Sequence, residues 1–162
     1  MNRIKQFFVY AIAKVNINDK IYIEKHLNND EMALFNKLSI HEQKHSINVA
    51  RDVEKECRVN LVNSKNLVKA ALLHDIGKIN VPITLIDKSI VVILDKITRS
   101  KIKKFKKIKK IYIYYNHGYE GFQILKRINE NEQILFMVNN HHNREMSNNL
   151  ELDILKKCDD RN

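Results

Sequence analysis

The sequence has few of the residues that interrupt helices: it contains three glycines and one proline, Pro82, among 162 residues. Long side chains with few breakers favour helices with short connections over a fold rich in tight turns. Hydrophobic residues make up 44% of the chain. A chain of this length supports one domain with a hydrophobic core, since two domains would each be small. We therefore predict a single all-α domain.

Cysteines and long apolar runs are scarce as well. The two cysteines, Cys57 and Cys158, show no CxxC spacing, which favours buried free thiols in a reducing cytosol. No apolar run approaches the roughly 20 residues that a membrane-spanning helix needs. The apolar stretch from Phe7 to Ala13 is followed at once by Lys14. Residues 2–15 are therefore predicted to form an amphipathic helix rather than a signal peptide, and we expect a soluble cytoplasmic protein.

Apolar spacing predicts helices along the whole chain. The segment KNLVKAALLHDIG, capped by Ser64 and ending at Gly77, is continuously apolar from Ala70 to Leu73. It is predicted to be the buried central helix. A helix is also preferred for IYIYY, because a lone strand would have no partner. The other predicted helices span residues 2–15, about 19–27, a short segment capped at 29–30, 40–57, 83–96, 99–110, 116–128, 131–142 and 149–159.

Positive charge is concentrated in one segment. The net charge is +10, and RSKIKKFKKIKK, residues 99–110, holds eight lysines and arginines and no acidic residue. If this segment is helical, apolar residues from Ile102 to Tyr115 share one of its faces. Three interpretations stay open: a surface helix with solvated lysines, a surface that attracts phosphorylated substrates, or contact with nucleic acid or an acidic membrane.

The motif HEQKH, residues 41–45, matches the helical pattern of zinc metalloproteases, with a glutamate between two histidines four residues apart. The helical positions place His45 at the edge of the apolar stripe and His41 further toward the polar side. His45 is therefore the better candidate ligand, and His41 and Glu42 are interpreted as a coincidental match.

A second group of polar residues lies beside apolar runs. His74 and Asp75 follow the predicted central helix, and a buried aspartate is costly unless it is paired or bound to a metal. His117, the pair His141-His142, and the pair Asp159-Asp160 also flank predicted apolar helices. So many histidines and aspartates in such positions indicate a shared metal site.

In order and rough spacing, His45, His74-Asp75 and Asp159 resemble the metal-binding residues of the HD-domain metal-dependent phosphohydrolases. ALLHDIGK is close to the signature of that family, and HSINVA and ILKKCD resemble its matching segments. The resemblance covers about residues 38–160, with residues 1–37 as preceding N-terminal helices. It implies an all-helical HD bundle with a central metal site.

The resemblance also implies roles for individual residues. A first metal would be held by His45, His74, Asp75 and Asp159, with Asp160 as the alternative to Asp159. Asp75 would bridge to a second metal, and Lys78 would face the substrate phosphate. The second metal would be held by His117, His141 and His142, as in the two-metal subgroup that includes the HD-GYP phosphodiesterases.

The predicted activity is hydrolysis of a phosphate ester, in a nucleotide or another small phosphorylated substrate, by metal-activated water. One or two divalent ions are expected, and the imidazoles favour Mn, Fe, Ni or Zn over Ca or Mg. Asn143 follows His142 where the HD-GYP group commonly has glutamate, and no GYP follows, so cyclic di-GMP is a doubtful substrate. Two alternatives stay open: a di-iron oxygenase of HD type, and a nucleic-acid or regulatory binding module with a structural or silent metal site.

Overall fold

The computed structural model describes residues 14–146 and 148–162, so the predicted helix over residues 2–15 lies almost entirely outside the described residues. These residues form eight α-helices and two short 3-10 helices and include no strand, which confirms the predicted all-α class. The α-helices are α1 (Ile17–His26), α2 (Asn29–Phe35), α3 (Ile40–Asn60), α4 (Ser64–Leu73), α5 (Leu85–Ile97), α6 (Lys109–Lys126), α7 (Glu132–Asn140) and α8 (Leu150–Arg161), and the 3-10 helices are Ile76–Lys78 and Lys101–Lys104.

Asparagine side chains begin most of the helices. At α1, the side chain of Asn16 accepts a hydrogen bond from the backbone N–H of Asp19, whose carboxylate accepts one in return. Such a cap contributes about 1 kcal/mol by satisfying N–H groups that have no partner within the helix. The predicted caps Ser64 and Asn29-Asp30 are wrong by one residue. Six of the other seven α-helices also begin with a side-chain cap, and α6 does not; the caps are Asn28, Ser39, Asn63, Thr84, Asn131 and Asn149.

Helix α4 is the centre of the bundle, as predicted. It contacts α1, α2, α3, α7 and α8, and its side chains from Ala70 to Leu73 are fully buried. The helix ends at Leu73, so the predicted end at Gly77 is wrong. His74 keeps helical dihedral angles as the C-cap, and the backbone leaves the helical region at Asp75. Both side chains are buried in the interior.

The 3-10 helix Ile76–Lys78 packs directly on the backbone of α6, and Gly77 makes this approach possible. A Cβ atom at position 77 would lie 2.0 Å from the carbonyl oxygen of His117 and 2.8 Å from the backbone nitrogen of Gly121. Only glycine fits at such a distance. The contact holds the segment that carries Asp75 and Lys78 against the helix that carries His117.

Residues 99–110 do not form the predicted basic helix. The chain reverses at Arg99 and Ser100, both with positive φ, and continues through the 3-10 helix Lys101–Lys104 to the start of α6. The reversal lets Ile102 pack with Val91 of α5 and Ile111 of α6 in a small second hydrophobic cluster. A continuous helix would instead stack like charges one turn apart, which is destabilising. IYIYY is helical, as predicted.

The described residues include no helix with the length and apolar character that crossing a membrane requires.

We predict that Gly77→Ala lowers the free energy of unfolding by at least about 3 kcal/mol, because its Cβ meets rigid backbone. Gly121→Ala is the comparison variant on the other side of the same contact: its Cβ would meet the Cγ1 atom of Val138 at 3.0 Å and the backbone nitrogen of Gly77 at 3.3 Å, which are milder overlaps than the 2.0 Å at position 77. A smaller loss, of about 1 to 2 kcal/mol, is expected there. Denaturant unfolding of both variants measures the difference, and equal losses would contradict the close approach at Gly77.

Candidate metal centre

The structure brings all seven predicted ligands together, although they come from separate parts of the chain. His45 lies on α3, Asp159 lies on α8, and His117 lies in the middle of α6 rather than at a helix end as predicted. The remaining four ligands are two pairs of adjacent residues, each directly after a helix: His74-Asp75 after α4 and His141-His142 after α7. Helix α4 contacts α3, α7 and α8, and the 3-10 helix Ile76–Lys78 that follows α4 contacts α6, so the five segments meet around the end of α4.

Three buried imidazoles are held in the same way. The Nδ1 atom of His74 lies 2.8 Å from the carbonyl oxygen of Ala71, and that of His141 lies 2.7 Å from the carbonyl oxygen of Val138. In His117, Nδ1 lies 3.1 Å from the carbonyl oxygen of Ile113. A carbonyl only accepts, so each Nδ1 carries a proton and each Nε2 is directed at the site. This is the outer hydrogen bond that metal-bound histidines usually make.

Asp75 occupies the middle of the site. Its Oδ1 atom lies 2.5 Å from Nζ of Lys78 and 3.4 Å from Nε2 of His117, and its Oδ2 atom lies 3.6 Å from Nε2 of His74. Burial opposes the charge of this carboxyl, but the Lys78 and His74 cations hold its pKa well below its ordinary value. Oδ2 accepts no hydrogen bond from the described residues, as expected of an oxygen reserved for a cation.

Asp159 joins the other histidines. Its Oδ1 atom lies 2.9 Å from Nε2 of His45 and 3.5 Å from Nε2 of His74, and its Oδ2 atom lies 3.9 Å from Nδ1 of the exposed His142. Burial opposes a charge on His74, but Asp75 and Asp159 raise its pKa to about 9. Asp160 is exposed and lines the adjoining cavity.

The donor atoms form three groups, each compact enough to surround one ion. One group contains His45, His74 and Asp159, and a second contains His117, His141 and His142. The third group contains His74, Asp75 and His141, so it shares His74 with the first group and His141 with the second. The ligand types are those of divalent transition metals.

The facing imidazoles of His117 and His141 show that a cation fits. Their Nε2 atoms lie 3.2 Å apart, and both nitrogens carry lone pairs because both Nδ1 atoms are protonated. Burial lowers the pKa of His141 to about 3. The pKa of His117 is well below its ordinary value because the ring is buried and because the Lys78 charge is nearby. Two neutral acceptors at this distance repel each other unless a cation lies between them.

A cavity of about 770 Å³ opens beside these ligands, and it carries cations that the sequence did not reveal. Lys88 of α5 is partly buried in its wall and makes no ion pair within the described part of the chain. Burial and the Lys78 charge lower the pKa of Lys88. Lys103 and Arg144 also line the cavity. Lys103 belongs to the basic segment, residues 99–110, but no motif marks Lys88 on α5 or Arg144 in the loop after α7.

Glu42 is the residue that the sequence interpretation missed. The sequence predicts that Glu42 is a coincidental part of HEQKH, but its side chain is buried, with Oε1 4.0 Å from Nζ of Lys78. Burial raises the pKa of Glu42 despite the opposing Lys78 charge. Its spacing of three residues from His45 was the available signal, since such residues share a helix face. His41 belongs to none of the three ligand groups.

The family model for the HD domain matches residues 43–161. The chain belongs to the HD-domain family. The matched region contains all seven candidate ligands and the helices that carry them. No curated protein and no solved structure matches the chain.

HD domains bind divalent metals, and the family consists generally of metal-dependent hydrolases. The match is to the HD domain as a whole and does not extend to the HD-GYP subgroup.

We predict that His74→Ala and Asp159→Asn each remove bound metal, measured as metal content per chain by elemental analysis. Asp160→Asn is the matched control for the carboxylate, and His26→Ala, on α1 outside the ligand groups, is the control for the imidazole. Both should retain wild-type metal content. Loss of metal in His41→Ala without loss in His74→Ala would support the interpretation of HEQKH as a metalloprotease site instead.

Proposed function

We propose that this HD domain is a phosphohydrolase that cleaves a phosphate ester with water activated at two divalent metal ions. The observation that supports it is the division of the ligands into two separate groups of three, with Asp75 lying between them. One ion is assigned to His45, His74, Asp75 and Asp159, and the other to Asp75, His117, His141 and His142. A carboxylate suits the bridging position, because its two oxygens can each serve one ion.

Bound divalent ions would supply a hydroxide near neutral pH and neutralise charge on the phosphoryl oxygens. The chain itself supplies the surroundings. The carbonyls that accept from His74, His117 and His141 fix the imidazole orientations before substrate arrives, so little reorganisation is needed during the reaction. The low pKa of His141 keeps it neutral and able to act as a ligand.

Lys78 is assigned to stabilise the negative charge on the reacting phosphate. It is buried in the cavity wall between the carboxylates of Asp75 and Glu42. Burial opposes its charge, but these two carboxylates raise its pKa, so it stays protonated at neutral pH. Glu42 acts on Lys78 and is therefore a positioning residue.

The cavity favours a substrate larger than inorganic phosphate. Its volume of about 770 Å³ lies within the range of small-molecule sites. Lys88, Lys103 and Arg144 provide cations beyond the ligands, and Tyr114 provides an aromatic wall. A nucleotide or another phosphorylated molecule of similar size fits this lining.

We predict that Asp75→Asn lowers phosphohydrolase activity about 100-fold or more, because the bridging carboxylate loses its charge. The assay uses metal-loaded protein with phosphomonoesters, phosphodiesters and nucleotides. Asp153→Asn, an exposed carboxylate on α8, is the control and should keep full activity. Wild-type protein that binds metal but hydrolyses none of these substrates would contradict the proposal. Iron-dependent oxygen uptake would instead indicate the oxygenase alternative.

A second variant tests the cavity lysine. We predict that Lys88→Met raises KM for the best phosphorylated substrate about 10-fold, because a charged hydrogen-bond donor is lost from its binding site. Lys96→Met changes an exposed lysine of the same helix and should leave KM unchanged. Equal KM values in both variants would show that Lys88 does not contact the substrate.

A further inference from the structure

Helix α5 carries an exposed stripe of four isoleucines. Ile86, Ile90, Ile93 and Ile97 are 68%, 49%, 57% and 72% exposed. Their spacing of four, three and four residues puts them within a sector of about 60° on one face of the helix. Single exposed apolar residues are ordinary, but a continuous apolar surface marks an interaction site.

The opposite side of α5 already has its partners. Val91 is buried against Ile102 and Ile111. The carboxylate of Asp87 accepts from Nζ of Lys110 at 2.8 Å, and that of Asp95 accepts from the Tyr115 hydroxyl at 2.6 Å. These contacts fix which face of α5 is turned outward. The isoleucine stripe is therefore a surface that the other described residues leave uncovered.

The stripe is followed directly by the most cationic part of the chain. Residues 99–110 hold eight lysines and arginines and no acidic residue, and all of these cations are exposed. Phe105 and Ile108 stand among them and are exposed as well. Ile97, the last residue of the stripe, is separated from Arg99, the first of these cations, by Thr98 alone, so the stripe ends where the cationic segment begins.

The chemistry of this region selects among partners. A second copy of the chain would bring two segments of charge +8 together, which is unfavourable. Nucleic acid would neutralise the lysines but leave the isoleucines in water. A lipid surface with anionic headgroups provides hydrocarbon for the isoleucines and phosphates for the lysines.

We propose that α5 and residues 99–110 form a peripheral binding surface for anionic phospholipid membranes. The isoleucine stripe enters the boundary between headgroups and acyl chains, and the lysines contact the headgroups. This surface uses none of the metal ligands, although Lys103 of the cationic segment also lines the cavity, so the variants below leave Lys103 and Lys88 unchanged.

The absence of tryptophan from the chain allows a direct test. In Ile93→Trp the single indole reports on the stripe. We expect its emission to be that of an exposed indole in buffer and to shift to shorter wavelength when phosphatidylglycerol vesicles are added. Neutral phosphatidylcholine vesicles and high salt should suppress the shift. Val59→Trp, at an 80% exposed position on α3, is the control and should not respond.

Other outcomes would overturn the proposal. Blue-shifted emission without vesicles at every protein concentration would show that residues 1–13 or another part of the chain cover the stripe. A shift that depends on protein concentration would indicate a second copy. A response to duplex DNA without a response to vesicles would indicate nucleic acid.

A charge variant provides the second measurement. The triple variant Lys104→Gln, Lys106→Gln and Lys107→Gln changes exposed side chains only, so it should fold normally. We expect its partition onto phosphatidylglycerol vesicles, measured by co-sedimentation, to fall roughly 100-fold. An unchanged partition would overturn the role of residues 99–110.

Discussion

Burying an aspartate costs several kcal/mol unless cations surround it, and the interior of this protein is arranged to surround Asp75. The backbone leaves the path of α4 at Asp75, directly after the C-cap His74. Gly77 then lets the next turn touch α6, which brings His117 to within 3.4 Å of the carboxylate. Lys78 returns to the same carboxylate from three residues away. If this turn moved, the two groups of ligands would no longer share a centre.

The sequence predicted the candidate site better than it predicted the helices around it. Histidines and aspartates beside apolar runs are chemically conspicuous, because such groups are rarely buried without a reason. The structure places all seven of these side chains around one centre, although their roles as ligands stay a prediction. Lys88 lacked any such signal, and Glu42 offered only its spacing of three residues from His45. Lys88 depends on how α5 packs, and Glu42 was hidden by an overlapping motif whose chemistry belongs to another class of enzyme.

The errors in helix prediction have local causes. Ser64 and Asn63 are both good capping residues, and the sequence cannot distinguish adjacent candidates. The reversal at Arg99 and Ser100 uses positive φ in residues other than glycine, for which no sequence pattern exists. That conformation is retained because Ile102 gains its contacts with Val91 and Ile111. Tertiary packing overrode the periodicity of the basic segment.

The separation of the two hydrophobic clusters has a consequence for how substrate enters. Val91, Ile102 and Ile111 form a cluster apart from the main core, so α5 and the following turn are joined to the bundle by few buried side chains. Segments of this kind open at lower free energy than the core around them. Lys88 and Lys103 are part of that segment and would move with it, whereas the candidate metal ligands lie on the rest of the bundle. Local opening would thus widen the mouth of the cavity and withdraw part of its positive charge while leaving the ligand cluster assembled.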